Sequence, residues 1–217
     1  MWGGWFRDPV LLRELRAMRE IYAGSLTKEN RRYAAELAVF TDETAFAQMT
    51  DCPLRGAAHA QRAALGLTGV PYDAFDLSDF NAVFRRYRAV LFLNDGQTEP
   101  VRRAMAACES NGTPYLCLTE AKPRYAPAEL RDFCDQNGVH VFCRTDDIVY
   151  VSPRFLAIHA TAAGEKAVDL GGEYRYRELL TENSANGEGR ILTVAMRANE
   201  TKLFSLTKKR RGITAAG

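Results

Sequence analysis

Ala89-Val90-Leu91-Phe92-Leu93 is the clearest strand in the chain: five apolar residues in a row, with no polar position between them to face water. A continuous apolar run of this length marks a strand covered on both faces, as in the middle of a parallel sheet. The same signal recurs outward in weaker form. Leu37-Ala38-Val39-Phe40 is a short strand ending at Thr41-Asp42-Glu43, and Gly69-Val70-Pro71-Tyr72-Asp73-Ala74-Phe75-Asp76-Leu77 holds a second. Pro114-Tyr115-Leu116-Cys117-Leu118 gives another, and Val139-His140-Val141-Phe142 a fifth. Helices are predicted between them: from about Leu54 to Leu67, a short one capped by Ser78-Asp79, and Glu99 to Cys108. A last helix runs from Pro127 to Cys134 and stops at Asn137-Gly138, a C-cap signal. Strands alternating with helices at this spacing predict an α/β unit with a parallel, doubly wound sheet over residues 35–144.

After Cys143 the helical periodicity ends. Asp147 to Val151, Phe155 to Ala160, Lys166 to Leu170, Tyr174 to Leu179, Ile191 to Met196 and Thr201 to Leu206 are short strand candidates separated by Gly, Asn, Ser and Pro. They predict a small all-β sandwich over residues 145–207. The boundary falls near Arg144-Thr145-Asp146, and residues 208–217 form a basic tail beginning Lys208-Lys209-Arg210-Arg211, read as solvated and disordered. Upstream, Asp8-Pro9 opens a helix, because Asp is a favoured N-cap and Pro suits the first helical position. Leu11, Leu12, Leu15, Met18, Tyr22 and Leu26 then recur at helical spacing, so this amphipathic helix is expected to pack on another surface. Polar residues 27–34 link it to the α/β unit.

Composition narrows the function classes. The 217 residues are 47% hydrophobic and 26% charged, as in ordinary globular proteins. No run of about 18 apolar residues spans a membrane, and the start lacks the basic and apolar regions of a signal peptide. A net charge of +2 is too small to imply nucleic acid. The five cysteines, Cys52, Cys108, Cys117, Cys134 and Cys143, are odd in number and irregular in spacing. They are read as buried thiols, which makes the cytoplasm the expected compartment.

Motifs for chemistry are sparse. The carboxyl ends of the strands, where open parallel sheets bind ligands, carry Thr41-Asp42-Glu43 and Asn94-Asp95-Gly96. Neither is a glycine-rich dinucleotide loop or a phosphate-binding loop, so no nucleotide and no cofactor is expected. A cysteine nucleophile would sit on the turn after the central strand, which here holds Asn94-Asp95-Gly96. Glycoside hydrolysis needs two carboxyl groups roughly 5–9.5 Å apart. Asp146 and Asp147 are neighbours whose side chains diverge, and they are read as a turn. His59, His140 and His159 are scattered, and no second ligand at metal spacing accompanies any of them. No catalytic set and no metal site is expected. Trp2-Gly3-Gly4-Trp5-Phe6 admits two readings: indole faces lining a sugar pocket, or an anchor packed on the first helix.

Trp2-Gly3-Gly4-Trp5-Phe6-Arg7-Asp8-Pro9 followed by a long helix resembles the segment leaving the last barrel strand in β-galactosidase-like glycoside hydrolases near family 42. Ala38-Val39-Phe40-Thr41-Asp42-Glu43, Gly69-Val70-Pro71-Tyr72-Asp73 and Tyr87-Arg88-Ala89-Val90-Leu91-Phe92-Leu93 resemble strands of their middle, trimerisation domain. That domain is similar in fold to flavodoxin-like class I glutamine amidotransferases and lacks their catalytic residues. Stretches from Asp147-Ile148-Val149-Tyr150 to Asn199-Glu200-Thr201-Lys202-Leu203-Phe204 resemble the β-sandwich that ends these enzymes. The resemblance implies a non-catalytic C-terminal portion of a glycoside hydrolase. Residues 1–34 would be a barrel-exit segment and linker helix, and the catalytic barrel would lie upstream. It further implies a homo-oligomer, contact with carbohydrate through the barrel, and Trp2 and Trp5 at the edge of the sugar site. The alternative is a stand-alone ligand-binding or regulatory module with its site near Asp42, Asp76 and Asn94, at the carboxyl edge of the sheet.

Overall fold

The computed structural model describes residues 8–24, 35–44, 53–95, 98–180 and 186–209. The first helix, α1 (Pro9–Gly24), begins as its sequence predicts: the Asp8 carboxylate accepts the N–H groups of Val10 at 2.7 Å and Leu11 at 3.1 Å. Leu11, Ala17 and Ile21 on its apolar side are half-buried. No side chain of α1 is buried, and Val10, Leu12, Leu15, Met18 and Tyr22 all stand exposed.

Four parallel strands follow: β1 (Leu37–Thr41), β2 (Tyr72–Asp76), β3 (Ala89–Asp95) and β4 (Tyr115–Leu118), in the order β2-β1-β3-β4. Helices α2 (Pro53–Gly66), α3 (Phe80–Val83, between two 3₁₀ turns), α4 (Glu99–Asn111) and α5 (Pro127–Gln136) connect them or follow them. Because strand side chains alternate between faces, β1 and β3 supply both cores. Leu37, Val39, Leu91 and Leu93 pack with Ala58 and Leu65 of α2 and with Leu130 and Cys134 of α5. Ala38, Phe40, Val90 and Phe92 pack on the other side with Phe80, Phe84, Val101 and Cys108. That second face is aromatic. Phe40 stands opposite Phe75 and Phe92 in register, and its ring meets that of Phe80 edge-on at 5.0 Å. The apolar run at Ala89–Leu93 is thus a central strand covered on both faces.

The predicted fifth strand, Val139–Phe142, does not join this sheet. Val139 and Val141 are buried in the α/β core, as their alternation requires. The backbone hydrogen bonds, however, go elsewhere: Phe142 N–H donates to the Gly69 carbonyl at 2.9 Å, and the Phe142 carbonyl accepts from Asp169 N–H at 2.8 Å. Period-two burial is the same for a ladder strand and for an extended connector held by a loop, so the pattern alone does not separate them.

The second unit is one five-stranded antiparallel sheet of β5 (Ile148–Val151), β6 (Phe155–His159), β7 (Gly164–Glu178), β8 (Asn186–Met196) and β9 (Thr201–Lys208), in the order β5-β6-β9-β7-β8. Two predicted strands, Lys166–Leu170 and Tyr174–Leu179, are the halves of β7. The register with β8 shifts between Asp169 and Tyr174, where Gly171 takes a φ of 70° that an L side chain rarely adopts. Val149, Leu156, Ile158 and Phe204 share one core with Val168, Leu192, Val194 and Met196, so the two halves of the sheet enclose a common interior. No helix among the described residues is long and apolar enough to cross a membrane.

Candidate ligand cleft

The chain leaves β1 to form β2 on one side and returns to form β3 on the other. The connections after β1 and β3 therefore diverge, and in open α/β sheets ligands bind in the crevice opened by that reversal of strand order. A cleft of about 730 Å³ lies there. Asp42 and Thr44 enter it from the segment after β1, and Asp76, Leu77 and Ser78 from the end of β2. Phe80 and Asn81 of α3 add to its wall, and Thr98, Pro100, Arg103 and Ala104 close it from the start of α4.

Hydrogen bonds that tie the strand ends together set the geometry. Asp42 N–H donates to Asn94 Oδ1 at 2.5 Å, and Asn94 Nδ2 donates back to the Asp42 carbonyl at 3.3 Å. Asn94 is only 3% exposed and is not part of the cleft wall; its amide braces β1 against β3. Asp76 accepts Ser78 N–H at 2.9 Å and Glu43 N–H at 3.2 Å. Hydrogen bonds from Ser78, by side chain and backbone, and then from Glu43 hold its carboxyl below the usual range. All three residues singled out in the sequence thus meet at one sheet edge. Two of them, Asp42 and Asp76, line the cleft. The wall residues Thr44, Ser78, Asn81, Thr98 and Arg103 were not singled out, although the start of a helix after a central strand is a readable signal for such a wall.

Arg103 is not an isolated charge, since its Nε lies 2.8 Å from Glu99 Oε1. The Thr98 hydroxyl oxygen is buried and has no hydrogen-bond partner among the described residues. Trp2 and Trp5 lie outside the described residues.

Other chemistry-bearing side chains do not converge. No group of three or more His, Cys, Asp or Glu suited to a metal ion occurs among the described residues. His59 is exposed on α2, His140 Nε2 lies 2.8 Å from the Asp169 carbonyl, and His159 Nδ1 lies 2.8 Å from Thr201 Oγ1. Asp146 pairs with Arg131, whereas Asp147 turns inward to Lys166, so these neighbouring carboxylates diverge. Cys108, Cys117, Cys134 and Cys143 are buried free thiols. Burial pushes the Cys108 and Cys134 thiols up to about 12, which leaves almost no thiolate at neutral pH. These two are expected to resist an aromatic disulfide reagent in the native protein and to react once urea unfolds it. Rapid native labelling, mapped by peptide mass, would contradict their burial.

A second cleft of about 520 Å³ lies where the two units meet, lined by Asp135, His140, Arg144, Asp169 and Arg190 among others. Its ionic side chains are paired with one another: Arg144 with Asp135 and Arg190 with Asp169, each at 2.8 Å.

No protein-family profile matches the chain, and no curated protein matches it in sequence. Solved structures do match its fold. A β-galactosidase from Bacillus circulans sp. alkalophilus superposes with a TM-score of 0.56 at 12% identity, over 81% of this chain and 42% of that one. An apo exo-carrageenase (GH42) from Bacteroides ovatus superposes with a TM-score of 0.50 at 10% identity, over 88% of this chain and 31% of that one. The chain thus spans less than half the length of either neighbour. At these identities the likeness is one of fold.

Proposed function

We propose that the chain is a non-catalytic C-terminal portion of a β-galactosidase-like glycoside hydrolase. In this reading residues 35–144 are a flavodoxin-like, class I glutamine amidotransferase-like domain that supports oligomerisation, and residues 145–207 are the closing β-sandwich. One observation carries the reading: a four-stranded parallel α/β unit followed by a five-stranded antiparallel unit superposes, over 81% of this chain, on 42% of a β-galactosidase. The exposed apolar side of α1 supports it as the surface that meets a catalytic barrel, and Trp2 and Trp5 then stand at the edge of the parent's sugar site. The decisive experiment is to sequence the DNA upstream of the Met1 codon and to assay the isolated chain on chromogenic glycosides. A barrel-coding frame running into this one, with no hydrolysis by the chain alone, is expected. Hydrolysis by the chain alone, or upstream DNA that encodes no barrel, overturns the proposal.

A second reading has its own support. A cleft at the reversal of strand order, lined by Asp42 and Asp76, fits a stand-alone module that binds a small ligand there.

A further inference from the structure

That second reading names a place and no ligand. Resting on it, we infer that the cleft takes a neutral polyhydroxylated ligand of mono- or disaccharide size, with Asn81, Thr98 and Arg103 as contact residues beside Asp42 and Asp76. The volume of about 730 Å³ lies within the range of small-molecule sites. The charge on the walls selects among ligands. Among the lining residues, Asp42 and Asp76 bring two carboxylates against the single guanidinium of Arg103. The cleft is therefore acidic on balance, and a phosphate or carboxylate would enter against that field.

A compact cation fits poorly for a different reason. The Asp76 carboxylate already accepts two backbone N–H groups, and the guanidinium of Arg103, paired with Glu99, adds no acceptor for a cation. What the walls offer most is groups that both donate and accept: the hydroxyls of Thr44, Ser78 and Thr98 and the amide of Asn81. A sugar hydroxyl has the same double character, and the carboxylates accept its proton while Arg103 donates to its oxygen. The Thr98 hydroxyl, buried without a partner among the described residues, gains one when it turns about χ1 toward a ligand. Leu77, Pro100 and Ala104 give the apolar surface on which the C–H face of a ring rests.

The test is an NMR titration of the ¹⁵N-labelled full chain with lactose, glucose, putrescine and inorganic phosphate, each at millimolar concentration. Saturable shifts of amides in residues 42–44, 77–81 and 98–104 are expected with a sugar and not with the amine or the anion. Asn81→Ala and Arg103→Ala alter exposed side chains and are expected to keep the thermal transition while weakening sugar binding about tenfold. Putrescine or phosphate shifting these amides in place of sugar overturns the ligand class and leaves the cleft as a site. Silence from all four probes at these amides overturns both, as does sugar binding that maps elsewhere or ignores both substitutions. None of these outcomes bears on the glycoside hydrolase reading, which the upstream DNA decides.

Discussion

Gly69→Ala is expected to destabilise the protein by more than about 4 kcal/mol, a large part of the stability of an ordinary domain. Two effects add. Gly69 has a φ of 66°, where an L side chain costs roughly 1–2 kcal/mol. A Cβ built there would also overlap the Cys143 carbonyl oxygen and stand 2.7 Å from its carbonyl carbon. Those are backbone atoms, which cannot rotate aside as a side chain would. Nor can the two segments separate cheaply, because the Gly69 carbonyl accepts Phe142 N–H at 2.9 Å, and Cys143, fully buried, bridges to Val168 of β7. Relief of the overlap therefore pulls apart the seam between the two units.

Gly112→Ala is the matched control. Its φ is 67°, but nothing lies within 4 Å of the added Cβ, so only the backbone cost of about 1 kcal/mol is expected. Urea denaturation of both variants separates strain from overlap. Equal losses at the two positions would show that the close approach at Gly69 is not present.

That seam is also where local sequence pattern and structure part. Ala89–Leu93 was legible because burial on both faces removes every polar position from a strand, and only a central strand has that environment. Val139–Phe142 carries an equally good alternation, yet the partners of Phe142 are Gly69, far upstream, and Asp169 in a strand of the other unit. Nothing local in the sequence encodes those long-range partners. The β7 strand was split in two because Gly171-Gly172 looks like a turn, whereas one positive φ there only shifts the register. The cleft divides in the same way. Asp42, Asp76 and Asn94 were findable because they directly follow or end strands of a parallel sheet. Their separate jobs were not: whether an amide faces a cleft or braces two strands depends on how the strand ends pack. A helix start after a strand marks the neighbourhood of the wall, but which side chains there, Asn81, Thr98 and Arg103 among them, line the cleft is set by the packing of α3 and α4.

Asp147→Ala is the second large effect, expected at about 3–5 kcal/mol, because it leaves a buried ammonium without its counter-charge. Asp147 is wholly buried, and Lys166 Nζ lies 2.8 Å from its Oδ2 and 3.1 Å from its Oδ1. The same carboxylate accepts Thr161 N–H at 2.8 Å and the Thr145 hydroxyl at 2.5 Å. Burial by itself would raise its pKa. The bonds from Lys166, Thr145 and Thr161 outweigh that and hold the carboxyl below its usual range. A folded-state pKa below the unfolded value means that the contribution is full above the unfolded pKa of about 4 and is lost as pH falls through the folded one. The urea midpoint of the wild-type protein is therefore expected to drop below about pH 4, and that of Asp147→Ala to lose this part of its acid sensitivity.

The partners are not equivalent. Lys166→Met leaves the carboxylate with its Thr145 and Thr161 donors and is expected to cost less than Asp147→Ala. Adding Lys166→Met to Asp147→Ala removes the orphaned ammonium, so the double variant is expected to be more stable than the Asp147→Ala single. A double variant whose loss equals the sum of the two singles would mean that the two charges do not meet inside the protein. Recovery in the double variant, with the acid shift absent, assigns the energy to the buried pair and not to the volume of the side chains.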